Sequence, residues 1–146
     1  MFTDSVTAKG SLQIKKFNEK NELTDLRNVN NLVVAVGKDV IAARLIGNTL
    51  AVFSHMSVGT SNTAATTSQT ALGAEAARVA LDSTSRTTNT LSYVATFPAG
   101  TGTGTLTEAG IFNAGASGNM LCRTNFNDVN KAAGDTIVIT WNVTIA

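Results

Sequence analysis

DTIVITWNVTIA, residues 135–146, sets the fold class. Ile137, Ile139, Trp141, Val143 and Ile145 fall on one side of this run, and Thr136, Val138, Thr140, Asn142 and Thr144 on the other. A period of two with one apolar row is the pattern of a strand that covers a core. Trp141, in the middle of that row, is expected to anchor it.

Working back along the chain, LTEAGIFN (106–113), the turn AGASGN and MLCRTNF (120–126) form a hairpin pattern. Ala77, Val79 and Leu81 alternate, the polar Ser83 to Asn89 stretch reads as a turn, and Leu91, Tyr93, Ala95 and Phe97 alternate back toward Pro98 as a second hairpin. Leu50, Val52, Met56 and Val58 alternate with Ala51, Phe53, His55 and Ser57, which predicts a strand beginning soon after Gly47.

Residues 9–29 give an N-terminal hairpin, with Leu12 and Ile14 before a polar turn at Asn18–Asn21 and Leu23 to Val29 after it. Between the hairpin and Gly47 the period changes. Val33, Val36, Gly37, Val40, Ile41 and Leu45 follow helical spacing, predicting a helix over about 31–46 with Asn30 or Asn31 as N-cap and Gly47 as stop. The β-branched content keeps a strand at Leu32–Val36 open as the alternative.

The expected fold is mainly β: an antiparallel β-sandwich, or a barrel-like sheet, of about eight strands with one short helix. Residues 1–146 are expected to form a single β-sandwich domain, with the N-terminal hairpin and helix at about 9–46.

With 43% hydrophobic and 14% charged residues the chain has apolar material to bury and lacks a disorder signature. Aromatics make up only 5%, so the core must rest on Val, Ile, Leu and Ala. The formal charge of +1 gives no footprint for a polyanion, so nucleic acid is not an expected partner. No segment reaches the ~20 apolar residues of a bilayer span, and MFTDSVTAKGSLQIKK at the start has no apolar stretch of signal-peptide length. The expectation is a soluble protein made in the cytoplasm, with no membrane partner. The single Cys122 leaves no internal disulfide.

GTSNTAATTSQTALG (59–73) reads as a Thr/Ser/Ala-rich stretch without large apolar residues: a surface loop, or an arm docked on a neighbour, whose residues 62–68 could be removed without loss of folding. The glycine-rich link 100–105 is likewise expected at the periphery, in contact with neighbours.

No set of groups for catalysis is complete. His55 is the only histidine, with no second to finish a zinc site or relay a proton, and a structural role fits it better. Cys122 sits on a predicted strand outside any Cys/His signature and reads as a buried small hydrophobe. Gly100–Gly104 is followed by no Lys-Ser/Thr, so it is not a phosphate loop. The sequon Asn142-Val143-Thr144 lies inside a strand, and no glycan is expected.

Asp4, Asp25, Asp39, Glu75, Asp82 and Asp135 are scattered and lack calcium-loop spacing. Glu108 differs, standing between Leu106 and Gly110 in a mostly apolar strand, where a half-buried carboxylate needs Arg78, Arg86 or Arg123 as partner. Catalytic, cofactor-binding and metal-binding residues are assigned to none.

Three segments in matching order resemble a class of small virion proteins from tailed bacteriophages. SHMSVGTSNTAATTSQTALGAEAARVAL (54–81) is similar to their strand with a VGT-type turn, Thr/Ala-rich link and ALGAE-x-ARV entry. LTEAGIFNAGASGNMLCRTNF (106–126) resembles their LTE-x-G-F hairpin, and NKAAGDTIVITWNVTIA (130–146) their closing strand. The resemblance implies a non-enzymatic structural protein of the virion with no catalytic residues to carry over. Since the chain stops after its clearest strand, a capsid decoration or cement subunit contacting the major capsid protein is the favoured address. The alternative is a tail fibre, baseplate or neck adaptor component, because relatives of the LTE-x-G-F hairpin occur in such proteins. A homo-oligomer, a trimer or a larger ring imposed by the particle, is expected of a thin-cored sheet with open edges. A carbohydrate-binding β-sandwich is the second alternative, and a small β-barrel enzyme the remaining class.

Overall fold

A computed structural model describes residues 4–146, so the first three positions of the leader reading lie outside it. Nine strands and one helix follow in the order β1 (Ala8–Phe17), β2 (Leu23–Val33), α1 (Ala35–Leu45), β3 (His55–Gly59), β4 (Glu75–Ala80), β5 (Ser83–Thr87), β6 (Thr90–Phe97), β7 (Gly104–Phe112), β8 (Met120–Lys131) and β9 (Thr136–Ile145). The fold is mainly β and antiparallel with one short helix, as the alternation predicts.

All nine strands form one sheet in the order β4-β3-β7-β8-β2-β1-β9-β6-β5. The outermost strands, β4 and β5, are neighbours in the chain, separated only by Leu81 and Asp82. The sheet must therefore curl until its edges approach, which is the barrel-like variant of the expectation. The link holds both halves: Leu81 N donates to Ser54 O at 2.9 Å and Asp82 N to Val94 O at 2.7 Å. The other bend lies in β2, whose residues up to Asn31 pair with β1 while Leu32 and Val33 pair with Arg123 and Cys122 of β8.

Curling brings the apolar faces of both halves into one core. Leu12, Ile14, Ile139 and Trp141 from β1 and β9 meet Met56, Val58 and Ile111 from β3 and β7. Trp141 is fully buried, as its place in the closing strand predicts, and so is Cys122. The first hairpin also forms as read. Asn18 Oδ1 accepts from the N–H groups of Lys20 and Glu22, both at 3.0 Å, and Asn21 takes the left-handed conformation at φ 60°.

Three expectations are corrected. The strand predicted from Leu50 begins only at His55, because its partner β7 ends at Phe112 and Ser54 N→Phe112 O is the last bond across. Alternation there had no ladder to join, and Leu50 and Val52 are exposed. The helix starts at Ala35, with Val34 as an N-cap that makes no side-chain bond. Asn30 and Asn31 are strand residues, since pairing of Leu32 and Val33 with β8 outcompetes helix formation. Gly47, at φ 75°, stops the helix as expected. Finally, Ala77 and Val79 pair with β3 rather than with β6, and the presumed turn at 83–89 is mostly strand β5, closed on β6 through Thr88 and Asn89. Its Ser, Thr and Arg side chains look like a turn because an edge strand exposed along its length needs no apolar row.

Candidate functional site

Glu108 lies on β7 and Arg123 on β8, strands that pair directly, and both side chains are 0% exposed. The sequence suggested three arginines as partners. Arg123 is the one, its Nη2 2.7 Å and its Nε 3.1 Å from Glu108 Oε2. Arg78 instead pairs with Glu75 and lies 3.7 Å over the Phe112 ring, while Arg86 donates to Thr88 O.

A buried pair is tolerable only when its remaining donors and acceptors are satisfied. Here the segment 60–74 supplies what is missing. Glu108 Oε1 accepts from Ala74 N at 2.8 Å and Ser61 N at 3.1 Å, and Oε2 from Gly73 N at 2.9 Å. Arg123 Nη1 donates to Gln69 Oε1 at 3.0 Å and Asn125 Oδ1 at 3.2 Å, and Nη2 to Thr63 O at 2.9 Å. With the two bonds to Glu108, all five N–H groups of the guanidinium are used. Burial pushes the Glu108 carboxyl upward, but the N–H groups of Ala74 and Gly73, then Arg123 and Ser61, outweigh it and hold the group below its ordinary range.

The segment read as a free arm is therefore a strap fastened over the sheet. Leu72, the large apolar residue passed over in reading 59–73, is buried with Val34, Phe112 and Met120 in a second cluster. Ala35 N donates to Thr67 O at 2.8 Å, tying the strap to the start of α1. Removing residues 62–68 would cut this network, so the expectation of a dispensable arm is withdrawn.

The motifs quoted from the sequence as separate signatures meet here. Gly59 ends the VGT strand where a Cβ would stand 2.4 Å from Ala74 O and 2.5 Å from Glu108 Oε1. Gly73 and Ala74 belong to ALGAE, and Glu108 to LTEAG. Their spacing in sequence reflects one buried polar node.

The other residues singled out from sequence do not gather around it. Among the described residues no group of His, Cys, Asp and Glu side chains could hold a metal ion. His55 Nδ1 lies 2.8 Å from Ser54 Oγ. Burial pushes the Cys122 thiol well above its ordinary value, against a smaller lowering by the Ile111 N–H. Tyr93 and Trp141 are both buried, leaving neither as a sugar platform, and burial followed by the nearby Cys122 moves the Tyr93 phenol up to about 12.

A second surface was not foreseen. An apolar groove of about 580 Å³ opens between α1 and the β5–β6 edge, floored by Leu91, Tyr93 and Val143 and rimmed by Leu45 and Val52. Of its lining, the sequence predicts Val52, Phe53, Leu91 and Tyr93 in strands and Val40, Ile41 and Leu45 in the helix, with nothing to bring them together.

Among known families, residues 27–145, from β2 to the end of β9, match the model described as phage tail-collar fibre protein, N-terminal. Neither the curated proteins nor the solved structures give a match. The match lies with tail fibres, the alternative address in the sequence, and lends no support to capsid decoration.

Proposed function

Because this chain belongs to the phage tail-collar fibre protein N-terminal family, a structural family of the virion, we propose that it serves at the tail as the module that joins a fibre to the particle. It works by protein–protein contact with tail or neck proteins and with other copies of itself, without a catalytic step. The observation that carries this reading is the extent of the match, which takes in the seven strands β3 to β9 whole and β2 from Arg27 on. The strap supports it. A load-bearing contact surface gains from preorganisation, and the Glu108–Arg123 node fixes a polar segment that would otherwise need ordering on binding.

Balanced charge argues against nucleic acid as a partner, and no described helix is long and apolar enough to cross a membrane. That residues 1–146 form a single domain is part of the same proposal, with the continuous curled sheet and its shared core in support.

Particles assembled without this protein provide the test. Their heads should be filled and should resist osmotic shock like those of the parent, while adsorption to host cells falls because fibres are missing. Normal adsorption with fragile heads would overturn the tail assignment and restore capsid decoration.

A further inference from the structure

Two surfaces at opposite ends of the sheet complement each other, and the node uses neither. At one end is the apolar groove, extended outward by Leu45, Ile46 and Val52, which are 83%, 86% and 60% exposed. Arg44 and Arg86 flank it. Each donates to a backbone carbonyl, Arg44 Nη1 to Leu50 O at 3.1 Å and Arg86 Nη1 to Thr88 O at 2.6 Å. Among the described residues neither has a carboxylate partner.

At the other end the β1–β2 turn exposes Glu19 and Glu22 beside Leu23 and Leu26, each leucine 50% exposed. The turn holds two carboxylates against the single ammonium of Lys20. Val143, in the groove floor, pairs with Leu91, and Thr136, beside the turn, pairs with Phe17. From Val143 to Thr136 along β9, at ~3.4 Å per residue, is roughly 24 Å. One chain cannot seat its own turn in its own groove.

We infer that the groove receives the β1–β2 turn of a second copy of this chain, in a head-to-tail contact. The leucines enter the apolar floor while Glu22 and Glu19 face Arg44 and Arg86. Groove against groove is disfavoured, since a two-fold contact would bring Arg44 and Arg86 of both copies into one interface whose lining holds no carboxylate. A head-to-tail contact leaves one turn and one groove unused at every stage, so it closes into a ring or continues as a stack. This rests on the self-assembly part of the function proposed above and names the surfaces that carry it.

The test uses two variants of the full chain, one with Val52→Asp and Arg86→Ala, the other with Glu22→Gln and Leu23→Ser. All four positions are exposed, so unchanged thermal transitions serve as the folding control. Sedimentation of the parent should show mass rising with concentration. Each variant alone should sediment as a monomer, its dissociation constant raised at least about tenfold. An equimolar mixture should form dimers and stop there, because only one intact turn and one intact groove remain to meet. If both variants assemble like the parent, self-assembly stands and this contact is wrong. If the mixture stays monomeric while the parent assembles, the head-to-tail geometry is wrong. A parent that remains monomeric at every concentration would overturn the contact together with the self-assembly on which it rests.

Discussion

Replacing Arg123 with Met removes a guanidinium that makes two bonds to Glu108 and one each to Gln69, Asn125 and Thr63. It leaves a carboxylate that is 0% exposed with backbone amides as its remaining donors. Breaking one partner of a buried pair costs about 3–5 kcal/mol. For a chain of this size, at ~2–4 °C per kcal/mol, the melting temperature should fall by roughly 6–20 °C. An ordinary buried pair can be replaced by two apolar residues at little cost. This one should not be replaceable in that way. With Glu108→Leu added to Arg123→Met, the N–H groups of Ser61, Gly73 and Ala74 lose their acceptor, and each buried unpaired group costs about 1–3 kcal/mol. The double variant should therefore be no more stable than the single one in urea unfolding. Hydrogen exchange at those three amides should rise ahead of exchange in β7 and β8. A double variant as stable as the parent, with the three amides still protected, would refute the view that the pair fastens the strap.

Trp141→Ala should cost roughly 3–5 kcal/mol in denaturant unfolding. Trp141→Phe should cost clearly less, because the buried indole N–H has no hydrogen-bond partner among the described residues. Gly37→Ala should loosen α1 by about 1–3 kcal/mol, since a Cβ there would stand 2.3 Å from the Leu121 carbonyl oxygen; urea unfolding with exchange at helix amides reads this. The Cys122 thiol should resist alkylation in the folded protein and react fully in urea, as its burial and raised pKa require. The folded pKa of Glu108 lies below its unfolded value, so its contribution to stability is full above the unfolded carboxylate range, ~4.3, and is lost as pH falls through the folded value. Glu108→Gln should flatten the acid limb of a melting-temperature profile.

Strands with a clean apolar row were legible in the sequence because a period of two and burial on one face are the same fact. That is why β9 and the first hairpin fall where expected, with Trp141 in the core; β7 and β8, buried on both faces over 106–112 and 120–124, were legible from the turn AGASGN between them. β5 and the segment before His55 were misread for opposite reasons. The first is a strand with no apolar row, the second an apolar row with no partner strand, and pairing across a sheet leaves no mark in local composition. The start of α1 was misplaced by the same cause, since Leu32 and Val33 obey β8. Glu108 stood out as a carboxylate in apolar surroundings, and a partner among three arginines could be named. The strap could not be foreseen, because three of the bonds that fasten it run from backbone N–H groups, which every residue type but proline carries. Leu72 was its one visible anchor. The groove was hidden too, for it depends on where the chain goes after Gly47.

Imaging of tagged virions addresses the tail assignment most directly. With a bulky tag fused after Ala146, extra density should stand at the tail, where fibres join the particle, and be missing from the capsid lattice. Density repeated over the capsid surface, with none at the tail, would contradict the assignment.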